Sequence, residues 1–369
     1  MHPVIESARG ATLVDRDGRE YVDLSMGYGS VWLGHGEPAV ARAIAGQLER
    51  YAAPGFLPFA ALDQAQAALQ RCIPDTHFVG GIYSTGMEAV EAALRAVRAH
   101  TGRAHVAGFE GSEHGRSAAA AALGAAGTPG APASVHRLPA LAGLAPGALG
   151  AALRELHARA PLAAVFVEPL QMTGGGHAID AAQCAALFAF ARAHGCAVVF
   201  DEALTGLYRC GARLYADLLG CAPDVIVLGK GIGNGFPCAA VALRHGFAWD
   251  RARVRPGSTY WNHPLACAAI GATLDELERL HPVPRVAAIE RIVREGLGGL
   301  ELRGRGALWC LGFPDQGRQQ EFMRRVLGGG VVASYYARFV RLLPPLCIEP
   351  GALRRACEAI RKAHADTFG

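Results

Sequence analysis

The sequence has almost no lysine and no long hydrophobic run. Of its 36 lysine and arginine residues, only Lys230 and Lys362 are lysines. Hydrophobic residues make up 51% of the chain, yet apolar stretches such as ALFAFARAHGCAVVF are interrupted by Arg, His or Gly. The interruptions come before the roughly 20 residues that a membrane span needs. The first residues, MHPVIESARG, also lack the basic and apolar regions of a secretory signal. We therefore expect no membrane segment and a cytoplasmic location.

Paired cysteine spacings and a one-sided charge are missing as well. The ten cysteines are spread along the chain without any CxxC, which predicts buried thiols in a reducing compartment and no metal site. The net charge is only +4, and basic residues alternate with acids, as in RIVREGLGGLELRGRG. This pattern argues against a nucleic-acid-binding face.

What the chain does contain is an alternation of two kinds of segment. Short runs rich in Val, Ile and Phe are typical of strands: FVGGIY, HVAGFE, AAVFVE, CAVVFD, DVIVLG and CAAVAL. Between them lie longer Ala/Leu/Arg segments with helical period, of which MEAVEAALRAVRAH and AAQCAALFAFARAHG are the clearest. This order predicts an α/β fold with a mostly parallel sheet covered by helices on both faces.

The segments on either side of this alternation have a different character. The N-terminal stretch GATLVDRDGREYVDLSMG reads as two strands joined by a turn, and the C-terminal third mixes strands and helices. We predict a large domain over residues 49–275 and a small α+β domain that both ends form together, from residues 1–48 and 276–369. The Ala-, Gly- and Pro-rich segment from Ser117 to Ala151 fits a long loop or short broken helices equally well.

Lys230 stands at the end of a strand-like run, in VIVLGKGIGNGFP, where a surface lysine is not expected. In a chain that otherwise uses Arg, a lysine at such a place suggests a residue that must lose its proton. A buried amine can become neutral and nucleophilic, whereas a guanidinium stays charged. A solvated cation at a strand end is the alternative.

Three further polar features lie at strand-to-helix junctions, where open α/β sheets bind ligands. In YSTGMEAVEAA a Ser-Thr-Gly turn precedes a helix and offers backbone N–H groups to a phosphate, although it also fits a simple helix cap. Asp201 closes the strand VVFD, where a buried carboxylate needs a cation or a donor. The turn GSTYWNHP is rich in hydrogen-bond donors.

A phosphate site, a strand-end Asp and a strand-end Lys together suit pyridoxal 5′-phosphate (PLP). This cofactor has a phosphate, an aldehyde that condenses with lysine and a pyridine nitrogen that a carboxylate keeps protonated. The protonated ring takes up the electrons that are released when a substrate loses its α-proton.

Nearly the whole chain resembles a class III (ω-type) aminotransferase of the PLP fold-type I superfamily. The resemblance rests on motifs in the family's order, among them DRDGREYVDLSMGYGSVWLGHGEP, STGMEAVEAALRAVRAHTGR, FEGSEHGRS, VEPLQMTGGG, FDEALTG, PDVIVLGKGIGNGFP, GSTYWNHPLACAA and VRLLPPLCIEP. In motif style the chain is similar to the branch that contains the glutamate-1-semialdehyde aminotransferases. The resemblance implies a PLP enzyme with fold type I, acting on an amino donor and a keto or aldehyde acceptor.

The resemblance also implies roles for residues in the motifs. Lys230 would hold PLP as a Schiff base and move the substrate's proton, while Asp201 would pair with the pyridine nitrogen. Ala203 would pack on one face of the ring. In the phosphate turn Thr85 precedes Gly86 and Met87, whose backbone N–H groups would bind the phosphate.

Further residues would complete the site. Thr259 would reach the phosphate from a neighbouring subunit, which implies a homodimer with a shared active site. Tyr28 and Trp32 are candidates to line the substrate pocket. Glu113 stands where the family has an aromatic ring stacked on PLP, so either His114 takes over this contact or the ring is covered differently.

Two other positions depart from the family pattern. Thr173 replaces a Glu that, in relatives acting on ornithine or γ-aminobutyrate, controls a carboxylate-binding Arg; Arg209 is one candidate for that Arg here. Leu204 replaces a Gln that contacts the cofactor. The leading hypothesis is a PLP-dependent aminotransferase, and the first alternative is an isomerase (racemase, epimerase or aminomutase), because the acid at Glu113 suits a second proton transfer. A non-catalytic binding protein is the third.

Overall fold

The computed structural model describes residues 3–55, 57–247, 249, 254 and 257–368. The strands are β1 Ile5–Arg9, β2 Thr12–Asp15, β3 Glu20–Asp23, β4 His77–Tyr83, β5 His105–Phe109, β6 Val135–Leu138, β7 Leu162–Val167, β8 Leu170–Gln171, β9 His177–Ala178, β10 Ala197–Asp201, β11 Val225–Leu228, β12 Ala239–Arg244, β13 Leu302–Arg305, β14 Leu308–Gly312, β15 Val331–Val332, β16 Ser334–Tyr336 and β17 Phe339–Leu342. The helices are α1 Met26–Gly29, α2 Pro38–Arg50, α3 Ala60–Cys72, α4 Gly86–Thr101, α5 Ala118–Ala122, α6 Pro146–Arg159, α7 Ala181–His194, α8 Tyr215–Leu219, α9 Pro264–Arg279, α10 Pro282–Leu297, α11 Gln316–Gly328 and α12 Pro350–Phe368, with a 3-10 turn at Lys230–Gly233.

A seven-stranded sheet forms the centre of the molecule, in the order β4-β12-β11-β10-β7-β5-β6. All its strands are parallel except β12, which runs antiparallel to both β4 and β11. Every residue of β7, β10 and β11 is buried, as expected for parallel strands covered on both faces. The predicted α/β class with a mostly parallel sheet is confirmed, and the six strand-like runs all lie in this sheet.

The segment from Ser117 to Ala151 contains one strand that the sequence pattern did not indicate. It folds as the short helix α5, the strand β6 at the edge of the sheet, and the beginning of α6. The strand reads VHRL, and only its last residue is buried. Such a short, half-exposed edge strand carries little hydrophobic pattern, so pairing with β5 defines it rather than its own residues.

The two ends of the chain meet in a second sheet, of order β1-β2-β3-β15, in which β15 runs parallel to β3. A third sheet of order β13-β14-β17-β16 belongs to the C-terminal third. Helix α9 packs against α2 and α3 and continues across residue 275. The domain boundaries at residues 48 and 275 therefore stay a prediction.

Helix ends in this fold follow ordinary capping chemistry. At the start of α7 the Asp180 side chain accepts from the Gln183 backbone N–H, and the Gln183 side chain accepts in return from the Asp180 N–H. The helix ends at Gly195, whose φ of 58° lies in the left-handed region that favours glycine. Within the described ranges, no helix combines the length and the apolar character needed to cross a bilayer.

Candidate active site

The carboxyl ends of neighbouring parallel strands carry the polar side chains of the site. Lys230 follows β11, Asp201 ends β10, Glu168 follows β7, and the segment with Glu113 and His114 follows β5. These four strands are adjacent in the sheet. Open parallel sheets bind their ligands at this edge, so the fold brings together residues that lie far apart in sequence.

Lys230 is half-buried and lies at the first position of a 3-10 turn, with a φ of 45°. A non-glycine residue in the left-handed region is uncommon, and the surrounding structure must hold it there. Asn234 does so from the same loop. Its side-chain oxygen accepts from the Leu33 N–H at 2.8 Å, and its amide donates to the Gly34 carbonyl at 3.0 Å. The lysine loop is thus fastened to the N-terminal segment.

Asp201 and His114 form a buried pair. The His114 Nδ1 lies 2.9 Å from Asp201 Oδ2, and the Ala203 backbone N–H donates to Asp201 Oδ1 at 3.1 Å. His114 is 3% exposed and Asp201 5%. The other ring nitrogen of His114, Nε2, is buried without a hydrogen-bond partner. The pairing holds the carboxylate in one orientation.

The first turn of α4 has free backbone donors. The Thr85 side chain caps the helix by accepting from the Glu88 N–H at 3.1 Å, and Glu88 accepts from the Ser84 N–H at 2.9 Å. Gly86 has open space where a Cβ would stand, and Met87 is partly exposed. The N–H groups of Gly86 and Met87 have no partner within the helix, and an anion is favoured at this position.

The opening turn places the two predicted substrate residues differently. Tyr28 is 65% exposed, and its ring lies 5.8 Å from Cζ of Arg341. Trp32 is fully buried, donates its indole N–H to the Leu207 carbonyl at 3.0 Å and stacks on Arg209, with 4.2 Å from Cζ to the ring. Trp32 therefore supports the site from behind, and only Tyr28 has surface that a substrate can reach.

Arg209 is not placed to bind a substrate either. It is 2% exposed, its Nη2 donates to the Gly29 carbonyl at 2.6 Å, and its Nη1 is buried without a partner. Burial lowers the pKa of Arg209 to about 9. A Cβ on Gly231 would come within 3.1 Å of the guanidinium. Arg209 thus lies beneath the lysine loop and ties it to the opening turn.

Two residues of the site were not singled out in the sequence. Arg341, on β17, has a buried Nε without a hydrogen-bond partner, and burial lowers its pKa. Glu168 is 4% exposed, and burial raises its pKa to about 7, while the charges of Lys230 and His114 oppose this rise. Both belong to quoted motifs, VRLLPPLCIEP and VEPLQMTGGG. Apart from these motifs, the sequence marks Glu168 and Arg341 only as charged residues beside an apolar strand.

The remaining predicted residues lie around this centre. Ala203 faces Gly229, and a Cβ added to that glycine would lie 3.2 Å from the alanine methyl group. Thr173 donates its hydroxyl to the Gly111 carbonyl at 2.9 Å. Leu204 is buried beside Gly29. Thr259 is exposed, as its neighbours Ser258 and Tyr260 are.

These residues fit PLP. The open N-terminus of α4 suits its phosphate, the buried carboxylate of Asp201 suits a cationic ring nitrogen, and the half-buried Lys230 suits its aldehyde. No cluster of three or more potential metal ligands occurs among the residues that the structure describes.

Comparison with known proteins independently supports a PLP site in this chain. The family model of class III aminotransferases matches residues 1–364. A putative LysW-aminoadipate semialdehyde/glutamate semialdehyde transaminase of Aeropyrum pernix is 33% identical over 90% of this chain and 87% of its own. The 2-aminoadipate transaminase of Pseudomonas putida is 30% identical over 99% of this chain and 97% of its own.

Solved structures show the same fold. An amine transaminase from an uncultivated Pseudomonas species, in its PLP-bound form, superposes with a TM-score of 0.89 at 24% identity, covering 99% of this chain and 95% of the other. An (S)-enantioselective ω-transaminase of Thermomicrobium roseum gives a TM-score of 0.89 at 22% identity, over 100% and 93% of the two chains. The predicted fold type is thereby confirmed, and the match to the class III aminotransferase family confirms the predicted cofactor. The chain belongs to the class III aminotransferases and is a PLP-dependent aminotransferase.

Proposed function

We propose that the protein transfers amino groups between α-amino acids and keto or aldehyde acceptors, and that Arg341 binds the substrate's α-carboxylate. The observation that carries this is the state of Arg341: its Nε is buried without a partner, and no carboxylate of the described residues forms an ion pair with it. Arg341 is half-buried, and a guanidinium that is partly withdrawn from water without an anion is costly. A substrate carboxylate would supply the missing partner through a bidentate hydrogen bond.

The surroundings of Arg341 leave room for such a substrate. The charges that act on it most strongly, after burial, include Glu168, Tyr28 and Glu113, but none holds it directly. Thr173 is engaged with the Gly111 carbonyl and so does not hold the arginine. Relatives are named for amino acids or their semialdehydes, such as acetylornithine and 2-aminoadipate, which supports a substrate with an α-carboxylate.

We assign the cofactor contacts as follows. Bound PLP supplies an aldehyde that condenses with amines and a ring that takes up the electrons released at the substrate's α-carbon. Lys230 would hold the aldehyde carbon and would carry the proton from the substrate's α-carbon. Asp201, oriented by His114, keeps the ring nitrogen protonated. Gly86 and Met87 donate their backbone N–H groups to the phosphate, and the Thr85 cap sets the direction of the helix.

The other predicted contacts are part of the same proposal. Ala203 would pack on one face of the ring, as the family motif implies, and it lies beside Gly229, next to the lysine. Glu113 is half-exposed and cannot stack on an aromatic ring, so it would serve the site as a charged neighbour of Arg341. Tyr28 lines the entrance for the substrate.

We also propose a cytoplasmic homodimer in which Thr259 binds the phosphate held by the partner subunit. The exposure of Thr259 in the single chain supports this. Mixing Lys230→Ala with Thr259→Ala protomers tests it. A heterodimer with Thr259 acting across the interface contains one site in which both residues are intact, so wild-type PLP affinity should return in part of the sites. If Thr259 acts within its own chain, no site is restored.

The substrate assignment is tested with two compounds that differ only by the α-carboxylate, L-glutamate and 4-aminobutyrate. PLP-loaded protein is mixed with each, without an acceptor, and the absorbance of the cofactor is followed. We expect L-glutamate to convert the cofactor to its amine form. In Arg341→Met, losing the charge pair with the substrate costs about 2–5 kcal/mol, which corresponds to a roughly 30- to 5,000-fold lower kcat/KM.

The outcomes separate the alternatives. If Arg341→Met slows both compounds equally, the arginine does not recognise the α-carboxylate. If an amino acid loses its optical activity while the cofactor absorbance stays unchanged, the protein is an isomerase on the same scaffold, and Glu113 becomes the candidate for the second proton transfer. If no absorbing cofactor forms at all in protein supplied with PLP, Lys230 does not hold it.

A further inference from the structure

Glu168 is a buried carboxylate with very few hydrogen bonds. Its Oε2 accepts from the Glu113 backbone N–H at 3.1 Å, and no other hydrogen bond to it occurs in the described part of the chain. Glu202, the other deeply buried glutamate of the sheet edge, differs. It accepts from the Thr205 hydroxyl and from the backbone N–H groups of Tyr215 and Ala216 at 2.7–2.8 Å. These three hydrogen bonds account for the burial of the Glu202 carboxylate, whereas the Glu168 carboxylate has an oxygen that accepts no hydrogen bond from the described residues.

The charged groups that act on Glu168 follow neighbouring strands of the central sheet or lie on β17. Lys230 acts on it most strongly, followed by His114 and Asp201, and Arg341 faces it from β17. Burial raises the pKa of Glu168 to about 7. Near neutral pH the carboxyl group therefore exists in both forms, which suits a group that takes up a proton and returns it.

The position of Glu168 relative to a substrate follows from Lys230 and Arg341. If Arg341 binds the α-carboxylate and Lys230 marks the reacting carbon, the α-amino group lies between them, because it is bonded to the same carbon as the carboxylate. Glu168 is the charged neighbour that these two cations share. An amino acid arrives as an ammonium ion, which has no lone pair and cannot attack an electrophilic carbon.

We propose that Glu168 is the base that accepts the proton from the substrate's ammonium group and so frees the amine to attack at the carbon held by Lys230. One N–H bond breaks and one O–H bond forms, and the nitrogen keeps the electron pair. The neutral carboxylic acid returns the proton when the product amine leaves. This role rests on the proposed aminotransfer to amino acids.

The other two carboxylates of the site are less suited to this role. Asp201 is paired with His114 and with the Ala203 N–H, and in the proposed function its carboxylate is the partner of the ring nitrogen. Glu113 is half-exposed, so water reaches its carboxylate. Among the described residues of the site, Glu168 alone combines burial with an oxygen that is free to accept.

Glu168→Gln tests the proposal because the amide keeps the size and the hydrogen bond from Glu113 but cannot accept a proton. PLP-loaded wild-type and variant proteins are mixed in a stopped-flow instrument with L-glutamate and, separately, with hydroxylamine. Hydroxylamine is already neutral at pH 7 and needs no base. We expect the rate constant for L-glutamate to fall at least about tenfold at pH 7 and that for hydroxylamine to stay within about twofold.

The pH profile and a second variant sharpen the test. With Gln at this position only the free amine reacts, so the L-glutamate rate should rise about tenfold per pH unit between pH 7 and 8. Glu168→Asp keeps a carboxyl group and should recover part of the rate. In the cofactor-free protein, an infrared band of a protonated carboxyl group should fade between pH 6 and 8 in the wild type and be missing in Glu168→Gln.

Two results would overturn the proposal. An equal loss with both reagents means that Glu168 only supports the backbone at Glu113, and an unchanged rate with both means that it has no part in the reaction. If wild-type protein reacts only with amines that lack an α-carboxylate, the assignment of Arg341 fails instead. The same comparison of Glu168→Gln is then made with 4-aminobutyrate and hydroxylamine, because that amine is also an ammonium ion.

Discussion

Replacing Arg209 by Met should leave the protein as stable as the wild type, or more stable, while its activity falls. The guanidinium is 2% exposed, has no ion pair in the part of the chain that is described, and has one nitrogen without a partner. Such a buried charge is a weak source of stability. Methionine keeps much of the side-chain volume and adapts its shape to the space.

The magnitude follows from the surroundings of the guanidinium. The fall in the pKa of Arg209 from its ordinary 12.5 to about 9 corresponds to about 5 kcal/mol against the charged form in the folded state. Stacking on Trp32 at 4.2 Å returns about 2 kcal/mol, and the hydrogen bond to Gly29 about 2 kcal/mol. The three contributions nearly cancel, so we expect a change of 0 to about +2 kcal/mol in the free energy of unfolding.

Urea unfolding of the cofactor-free proteins at pH 7, at several protein concentrations, measures this change. Activity should fall at least about tenfold, because the opening turn with Tyr28 loses its tie to the lysine loop. The pH dependence of stability tests the same charge. The pKa of Arg209 is lower in the folded state than in the unfolded state, so the cost of the buried charge is complete below about pH 9. Above that pH, the free energy of unfolding of the wild type should rise relative to that of Arg209→Met. A variant that is less stable by more than about 3 kcal/mol would refute the argument from an uncompensated charge.

Three further predictions concern single residues. In Glu168→Gln the free energy of unfolding should rise, relative to that of the wild type, by about 3 kcal/mol between pH 4.5 and about 7. Urea unfolding of the two cofactor-free proteins measures this difference. The raised folded-state pKa of the glutamate costs the wild type that stability as pH increases, and a constant difference would contradict this. In Gly124→Ala the new Cβ would overlap the Ser112 carbonyl, so soluble expression should fall sharply, whereas Gly147→Ala, which meets no atom, should express normally and melt at the same temperature or slightly higher. In Asp201→Asn the hydrogen bond with His114 survives but the charge is lost, so turnover should fall about 10- to 100-fold at saturating PLP; full turnover would show that the charge is not needed.

Much of the site was predictable because strand ends are visible in the sequence. Apolar runs that stop at Lys230 and at Asp201 place both residues at one edge of a parallel sheet, and this placement is confirmed. The first turn of α4 was predictable for a similar reason, since its Ser-Thr-Gly turn directly precedes a helical period. Local patterns report which residues end an element, and they require no knowledge of distant contacts.

What remained hidden depends on contacts between distant segments. His114 and Asp201 lie 87 positions apart, and only the adjacency of two loops shows that they form a pair. The sequence does not show whether Trp32 lines a pocket or supports it from behind. The contact that shows this is the stacking of Arg209, 177 positions later, on the Trp32 ring. In the sequence, Glu168 and Arg341 are ordinary charges beside apolar strands, and only the folded chain brings the charge of Glu168 to act on Arg341.

The sequence by itself thus determined the family, the fold class, the cofactor and the positions of Lys230 and Asp201, because strand ends, helix starts and glycine turns are local properties. The tertiary structure alone decided which charges are buried and which lack a partner. Burial is a property of the assembled layers, and it decides whether Glu168 holds a proton near neutral pH and whether Arg341 needs an anion from outside. The proposals on substrate and proton transfer therefore come from packing.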